Sequence, residues 1–207
     1  MRIIGAVLVL ALLIVVGVLL LGGDGVSPFS GGDEGPAGFS FDLATAKASP
    51  TTDRTPADLQ AEADEAAGAV KATLDRFYFA AFVDRDAWGD YADAYALFDE
   101  SAAARAEADT DVLTLGPSAN EDYAAVREPR GTLRVLVLTN DENHAVSAIA
   151  RVTFRIDAEL DGGAMNQVTS TGSFFLVPGD DGWVIVGYRV DRNERSAPSP
   201  SPTGSPS

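Results

Sequence analysis

The stretch Thr132–Ile156, TLRVLVLTNDENHAVSAIARVTFRI, decides the fold. Its opening segment, Thr132–Thr139, is apolar on both faces of an extended chain, as a strand in the middle of a sheet should be. Asn140-Asp141-Glu142-Asn143 is turn chemistry, because short polar side chains bond their own backbone and tolerate tight dihedrals. The period is then cleanly two. Ala148, Ala150, Val152, Phe154 and Ile156 share one face, and Ser147, Arg151, Thr153 and Arg155 mostly occupy the other. Two strands joined by a polar turn form an antiparallel hairpin with one buried face.

Downstream the same grammar repeats. Asp161-Gly162-Gly163 turns the chain, Val168–Val177 forms the next strand, Pro178–Gly182 a hairpin loop, and Trp183–Asp191 the last strand. Upstream, Tyr123–Arg127 reads as a short strand ended by Pro129 and Gly131. Before it the period changes to helical. Thr55 can cap a helix, Pro56 suits its first turn, and Asp58 complements the dipole. Leu59, Ala63, Ala66, Val70, Leu74, Phe77 and Ala81 then recur at steps of three and four and mark one buried stripe. A second helix is expected over Ala87–Phe98, with Trp88, Tyr91, Tyr95 and Phe98 on one face and Asp86, Asp90 and Asp93 opposite. A third is expected over Ser101–Ala108, with Val112, Leu113 and Leu115 requiring burial after it. Helices first and an antiparallel meander afterwards make the class α+β.

The amino terminus is a different solvent problem. Ile3–Leu21, IIGAVLVLALLIVVGVLLL, carries no charge and as a helix reaches about 28 Å, close to a bilayer's hydrocarbon thickness. It is too long for a signal-peptide core, its exit at Gly23-Asp24-Gly25 is a poor cleavage site, and no cysteine follows for lipidation. An uncleaved transmembrane signal anchor is the expectation. Arg2 on one flank and Asp24, Asp33 and Glu34 on the other place the N-terminus in the cytoplasm and the remainder outside the plasma membrane. The chain therefore divides into residues 1–21, cytoplasmic N-terminus and anchor; 22–55, a Gly/Ser/Pro-rich flexible stalk; 56–195, the α+β domain; and 196–207, a disordered Pro/Ser tail.

With 31 acidic and 15 basic residues the net charge is −16, which repels nucleic acid and anionic headgroups as partners and keeps the domain soluble. With no cysteine, the domain must be stable without disulfides.

The order of elements, with the closing hairpin GDDGWVIVGYRVD at Gly179–Asp191, resembles the nuclear transport factor 2-like (NTF2-like) superfamily and its habitual Gly-Trp-x-hydrophobic ending. With an anchor ahead of it, the chain is similar to the Mce-associated membrane proteins of actinobacteria. Its preference for Arg over Lys and its heavy Ala and Asp use fit a GC-rich genome of that kind. The resemblance covers residues 56–193. It implies two or three helices packed on a curved antiparallel sheet that curls into a cone, whose open end can hold a ligand or partner. It also makes a homodimer an expectation, since many such domains dimerise across the open sheet face.

Superfamily enzymes place acid, base or Tyr–His groups inside the cone, and no such set maps onto this chain. His144, its only histidine, adjoins a hairpin turn. There is no nucleophile elbow, phosphate loop or His/Cys metal spacing, so no cofactor or metal is expected. Three constellations remain. The row Asp86, Asp90, Asp93 is a solvated face rather than a calcium cage, which needs six to eight oxygens. The aromatic set Phe77, Trp88, Tyr91, Tyr95, Trp183 and Tyr188 is either ordinary core or the lining of an apolar pocket for a lipid or small hydrophobe. Asp191 is either an inward-facing acid or an edge group. The expected function is a non-enzymatic accessory or scaffold domain engaging a cell-envelope complex, with possible Mce-type transport as its setting. A hydrophobe-binding module is the alternative, and an isomerase- or dehydratase-type enzyme the third reading.

Overall fold

A computed structural model of the chain describes residues 38–49, 56–142 and 144–196, all within the second of two units, residues 34–207. The run Ile3–Leu21, the cap Thr55 and residues 197–207 lie outside the described residues. Among the described residues no helix is long and apolar enough to cross a membrane.

Five strands form one open sheet in the order β1-β2-β3-β4-β5. They are β1 Asp42–Ser49, β2 Tyr123–Thr139, β3 Ala145–Leu160, β4 Met165–Gly179 and β5 Gly182–Ser196. From β2 to β5 the sheet is the expected antiparallel meander. In the β2–β3 turn, Asn140 Oδ1 accepts from the Glu142 and His144 amides at 3.0 and 2.9 Å, which is why asparagine opens it. Tyr123–Arg127 is not a separate strand. Pro129 and Gly131 are absorbed into β2 by a bulge between Arg127 and Arg130, with Glu128 at φ 49°. Further register shifts in the β1–β2, β2–β3 and β4–β5 ladders bend the sheet.

β1 corrects the reading of residues 42–49, within the expected stalk over 22–55, as flexible chain. It pairs in parallel with β2, from Asp42 opposite Thr132 to Ser49 opposite Leu138. Phe39 and Phe41, just ahead of it, are only 5% and 2% exposed. The composition of the stretch averages out a period-two pattern, Phe39, Phe41 and later Ala46 and Ala48, that packs against the core. Gly131 makes room for this: a Cβ there would collide with the Phe41 ring. At the other end Ser196 still pairs with Asn166, so the sheet includes Ser196, the first residue of the expected tail.

The helical layer opens with α1, Pro56–Tyr78, which continues as a π-helical turn over Phe79–Val83. The expected stripe from Leu59 to Ala81 is buried throughout. The expected second helix is broken. A short turn at Arg85–Ala87 is followed by an extended Trp88, left-handed Gly89 (φ 91°) and left-handed Tyr91 (φ 54°), and only α2, Ala92–Tyr95, is helical. Glycine has poor helix propensity and permits this reversal, and burial of the aromatics drives it. Trp88, Tyr91, Tyr95 and Phe98 are all buried and Asp86, Asp90 and Asp93 exposed, so the two faces survive without the helix. α3, Glu100–Ala108, is capped by Asp99, whose side chain accepts from the Ala102 amide at 2.7 Å. Two single turns follow, α4 Thr110–Leu113 and α5 Ala119–Asp122; Leu113 and Leu115 are buried as required, whereas Val112 is only half-buried.

Candidate functional site

The space between α1 and the inner sheet face is where a ligand would sit if the sheet enclosed one. That face is Leu133, Val135 and Val137 on β2, the Ala148–Ala158 alternation on β3, and Val168, Ser170, Phe174 and Leu176 on β4. Aromatic rings occupy the space. Phe154 lies 5.0 Å from Phe39, 4.8 Å from Tyr78 and 5.1 Å from Phe82, centroid to centroid. Tyr78 and Phe82 stack at 5.4 Å, and Phe77 meets Phe174 edge-on at the same distance. Such contacts favour edge-to-face and offset geometries.

The six aromatic residues singled out from sequence are all buried, but they do not share one cavity. Phe77, Phe98 and Tyr188 form a chain of ring contacts at 5.6 and 5.8 Å. Trp88 instead meets Tyr123 at 6.5 Å, and Tyr91 meets Tyr95 at 6.4 Å. Trp183 stands apart, its carbonyl accepting from Thr73 Oγ1 on α1 at 3.0 Å. A depression of about 650 Å³ opens beside α2 and α3, but of the six only Tyr95 lines it, with Phe98, three alanines and the carboxylate-bearing Asp90 and Glu107. Asp191 is exposed on β5, opposite Thr171, an edge group rather than an interior acid. His144 is exposed at its turn. Among the described residues no group of three or more His, Cys, Asp or Glu is placed to hold a metal ion.

Two polar arrangements were not legible in sequence. Asp75, on α1 and 1% exposed, accepts from the Phe41 amide at 2.8 Å, from Ser40 Oγ at 2.9 Å and from Lys71 Nζ at 2.7 Å. It ties the segment before β1 to the helix. The second is the treatment of tyrosine. All five tyrosines are buried with their hydroxyls engaged: Tyr78 with Ser170, Tyr91 with the Gly116 carbonyl, Tyr95 with Thr110, Tyr123 with Glu194, and Tyr188 with Asp109. The Arg105 guanidinium also lies 4.7 Å over the Tyr188 ring. Near Tyr123, two buried donors, Trp88 Nε1 and Arg192 Nε, have no acceptor among the described residues.

Burial raises the pKa of every one of these phenols, because the phenolate would lose its hydration. For Tyr123 burial, with the Glu194 carboxylate adding, pushes it up to about 12. The unfolded chain releases these protons near pH 10 whereas the folded domain keeps them, so stability is full below about pH 10 and falls as pH rises through it. Ultraviolet titration should therefore show less tyrosinate at about pH 10 in the folded domain than in the urea-unfolded chain, and its further appearance together with loss of the fold. Ionisation of several tyrosines near pH 10 with the circular dichroism unchanged would contradict this packing.

Compared with known proteins, the chain matches no protein-family model, no curated protein and no solved structure. The geometry thus defines a class: an α+β domain with a five-stranded, mostly antiparallel open sheet and an aromatic-filled interior.

Proposed function

We propose that the chain is a non-enzymatic accessory or scaffold domain with an NTF2-like cone, held by its amino-terminal run at the outer face of the plasma membrane and engaging a cell-envelope complex of the Mce-associated kind. The observation that carries this reading is the filled interior. Where a binding module or isomerase would keep a cavity, Phe77, Tyr78, Phe82, Phe154 and Phe174 pack against one another, and the Tyr78 hydroxyl is spent on Ser170 at 3.0 Å. A domain whose inside is structural does its work through its surface. The apolar run Ile3–Leu21 supports the anchor, and Arg2 against Asp24, Asp33 and Glu34 supports the orientation.

A carboxy-terminal alkaline phosphatase fusion of the full chain should be active in intact cells and stay with the membranes after carbonate extraction. Replacing residues 1–21 by a cleavable signal peptide should release the domain and abolish its association with the envelope complex. Recovery of the intact chain, amino terminus included, from the cytosol would sink the reading.

A further inference from the structure

The outer face of the sheet carries a charge opposite to the chain's net −16. Lys47 on β1, Arg134 on β2, Arg151 and Arg155 on β3 and Arg189 on β5 are exposed there, and among the described residues none has an ion-pair or hydrogen-bond partner. Strand register orders them. Thr45, Arg134, Arg151, Ser173 and Arg189 form one row straight across all five strands. Arg134 and Arg151 face each other directly, a like-charge pairing that destabilises an isolated antiparallel ladder.

On one side of this row lies an apolar one, Leu136, Ile149 and Phe175, with Leu136 and Phe175 39% and 42% exposed. On the other side lie Thr132, Thr153 and Thr171, with Asp42 and Asp191 at the two ends. Beyond the threonines Arg130 faces Arg155, and Arg130 is paired with Glu128 at 3.0 Å. Two shallow grooves follow this pattern. One of about 350 Å³ is bordered by Lys47, Arg134 and Arg151 over Leu136 and Ile149. The other, of about 270 Å³, is bordered by Arg130, Arg155 and Asp42 over Thr132 and Thr153.

We infer that this face docks an acidic, extended segment of a protein partner, laid along β2 and β3. An extended chain presents alternate side chains to one face at the same rise as the strands beneath it. An apolar residue over Leu136, Ile149 and Phe175 is then followed, two residues on, by a carboxylate at Arg134 and Arg151. A small hydroxyl residue sits over the threonines, and a second carboxylate meets Arg155, about 13 Å from the first. The uncompensated Arg134–Arg151 pair calls for an anion, and the adjoining apolar row calls for a ligand that is apolar as well. Asp42 and Asp191 on the same face oppose a broad anionic sheet such as a bilayer, which would have to cover them together with the arginines. The inference rests on the accessory-domain reading only in giving that domain a partner-facing surface, and it takes the place of the homodimer expected across this face, since a second copy would bring its own Arg134–Arg151 row against this one. Its test does not involve the anchor, so either can fail without the other.

The full-length protein in detergent micelles is titrated with rhodamine-labelled acetyl-Phe-Ser-Glu-Ser-Thr-Ser-Glu-amide and followed by fluorescence anisotropy. Saturable binding is expected, weakened about tenfold or more by Arg134→Glu with Arg151→Glu, and weakened by raising salt from about 50 to about 500 mM. The charge-matched pair Arg76→Glu and Arg85→Glu, in the helical layer, should leave it unchanged. Arg134→Glu alone should raise Tm by about 2 °C, since it converts a like-charge neighbour of Arg151 into an ion pair, and so reports an intact fold. Absence of saturable binding, or binding indifferent to the sheet variants, overturns the assignment. So does flotation on phosphatidylglycerol vesicles that depends on Arg134 and Arg151 and that the peptide does not compete away.

Discussion

Replacing Phe154 with alanine should lower the stability of the domain by about 3–5 kcal/mol, the usual loss for an aromatic ring removed from a closed core. The ring is 0% exposed and touches Phe39 and Phe41 ahead of β1 and Tyr78 and Phe82 at the end of the long helix, two separate parts of the chain. The cavity cannot collapse easily, because Phe154 stands on β3, the middle strand of five, held by ladders on both sides. A domain of this size has about 5–15 kcal/mol in total, so the variant sits close to unfolding. Urea unfolding of the full chain, followed by tryptophan fluorescence, measures the shift in midpoint. Phe175→Ala, 42% exposed on the opposite face, is the control and should cost about 0.5 kcal/mol or less. Equal losses from the two would mean that the inner and outer faces are assigned the wrong way round.

Asp75→Ala should cost about 3 kcal/mol and act on a different part of the fold. The carboxylate is the acceptor for the buried Phe41 amide and for Ser40, and it neutralises Lys71, whose side chain is 18% exposed. Without it the amide is left buried and unpaired, and Phe39 and Phe41 lose the bond that fixes the approach to β1. Amide exchange over residues 42–49 should accelerate well beyond that of β3 and β4. Asp75→Asn retains an acceptor for the amide and should lose roughly half as much. Lys71→Ala should lose about 1 kcal/mol, because water partly replaces it. A uniform rise in exchange across all five strands, with no excess in β1, would show that Asp75 does not hold that strand in particular.

The aromatic candidates illustrate how far local pattern reaches into a site. Burial of Phe77, Trp88, Tyr91, Tyr95, Trp183 and Tyr188 follows from side-chain chemistry and spacing, and it is what the domain shows. Whether six buried rings enclose a space or fill one depends on partners distant in sequence, such as Phe98 for Tyr188 and Tyr123 for Trp88. The tyrosine hydroxyls make the same point. Each needed an acceptor or donor, but nothing near Tyr78 in sequence indicates Ser170, more than ninety positions on.

What sequence alone determined is the β2–β5 meander with its turns, the buried face of β3, the stripe of α1 and the segregation of aromatics from aspartates around residue 90. All of these are local: a period of two or three to four residues, or a turn of Asn, Asp and Gly, carries its meaning within a few positions. Tertiary structure alone decided that Asp42–Ser49 joins the sheet, since its parallel partner on β2 lies some ninety residues away and weak local composition cannot announce it. It also decided that the Ala87–Phe98 stretch bends instead of continuing as a helix, because burying Trp88 and Tyr91 outweighs propensity. And it gathered Lys47, Arg134, Arg151, Arg155 and Arg189 onto one face of an acidic chain. Net charge is a sum, and only the register of the strands gives that sum a direction.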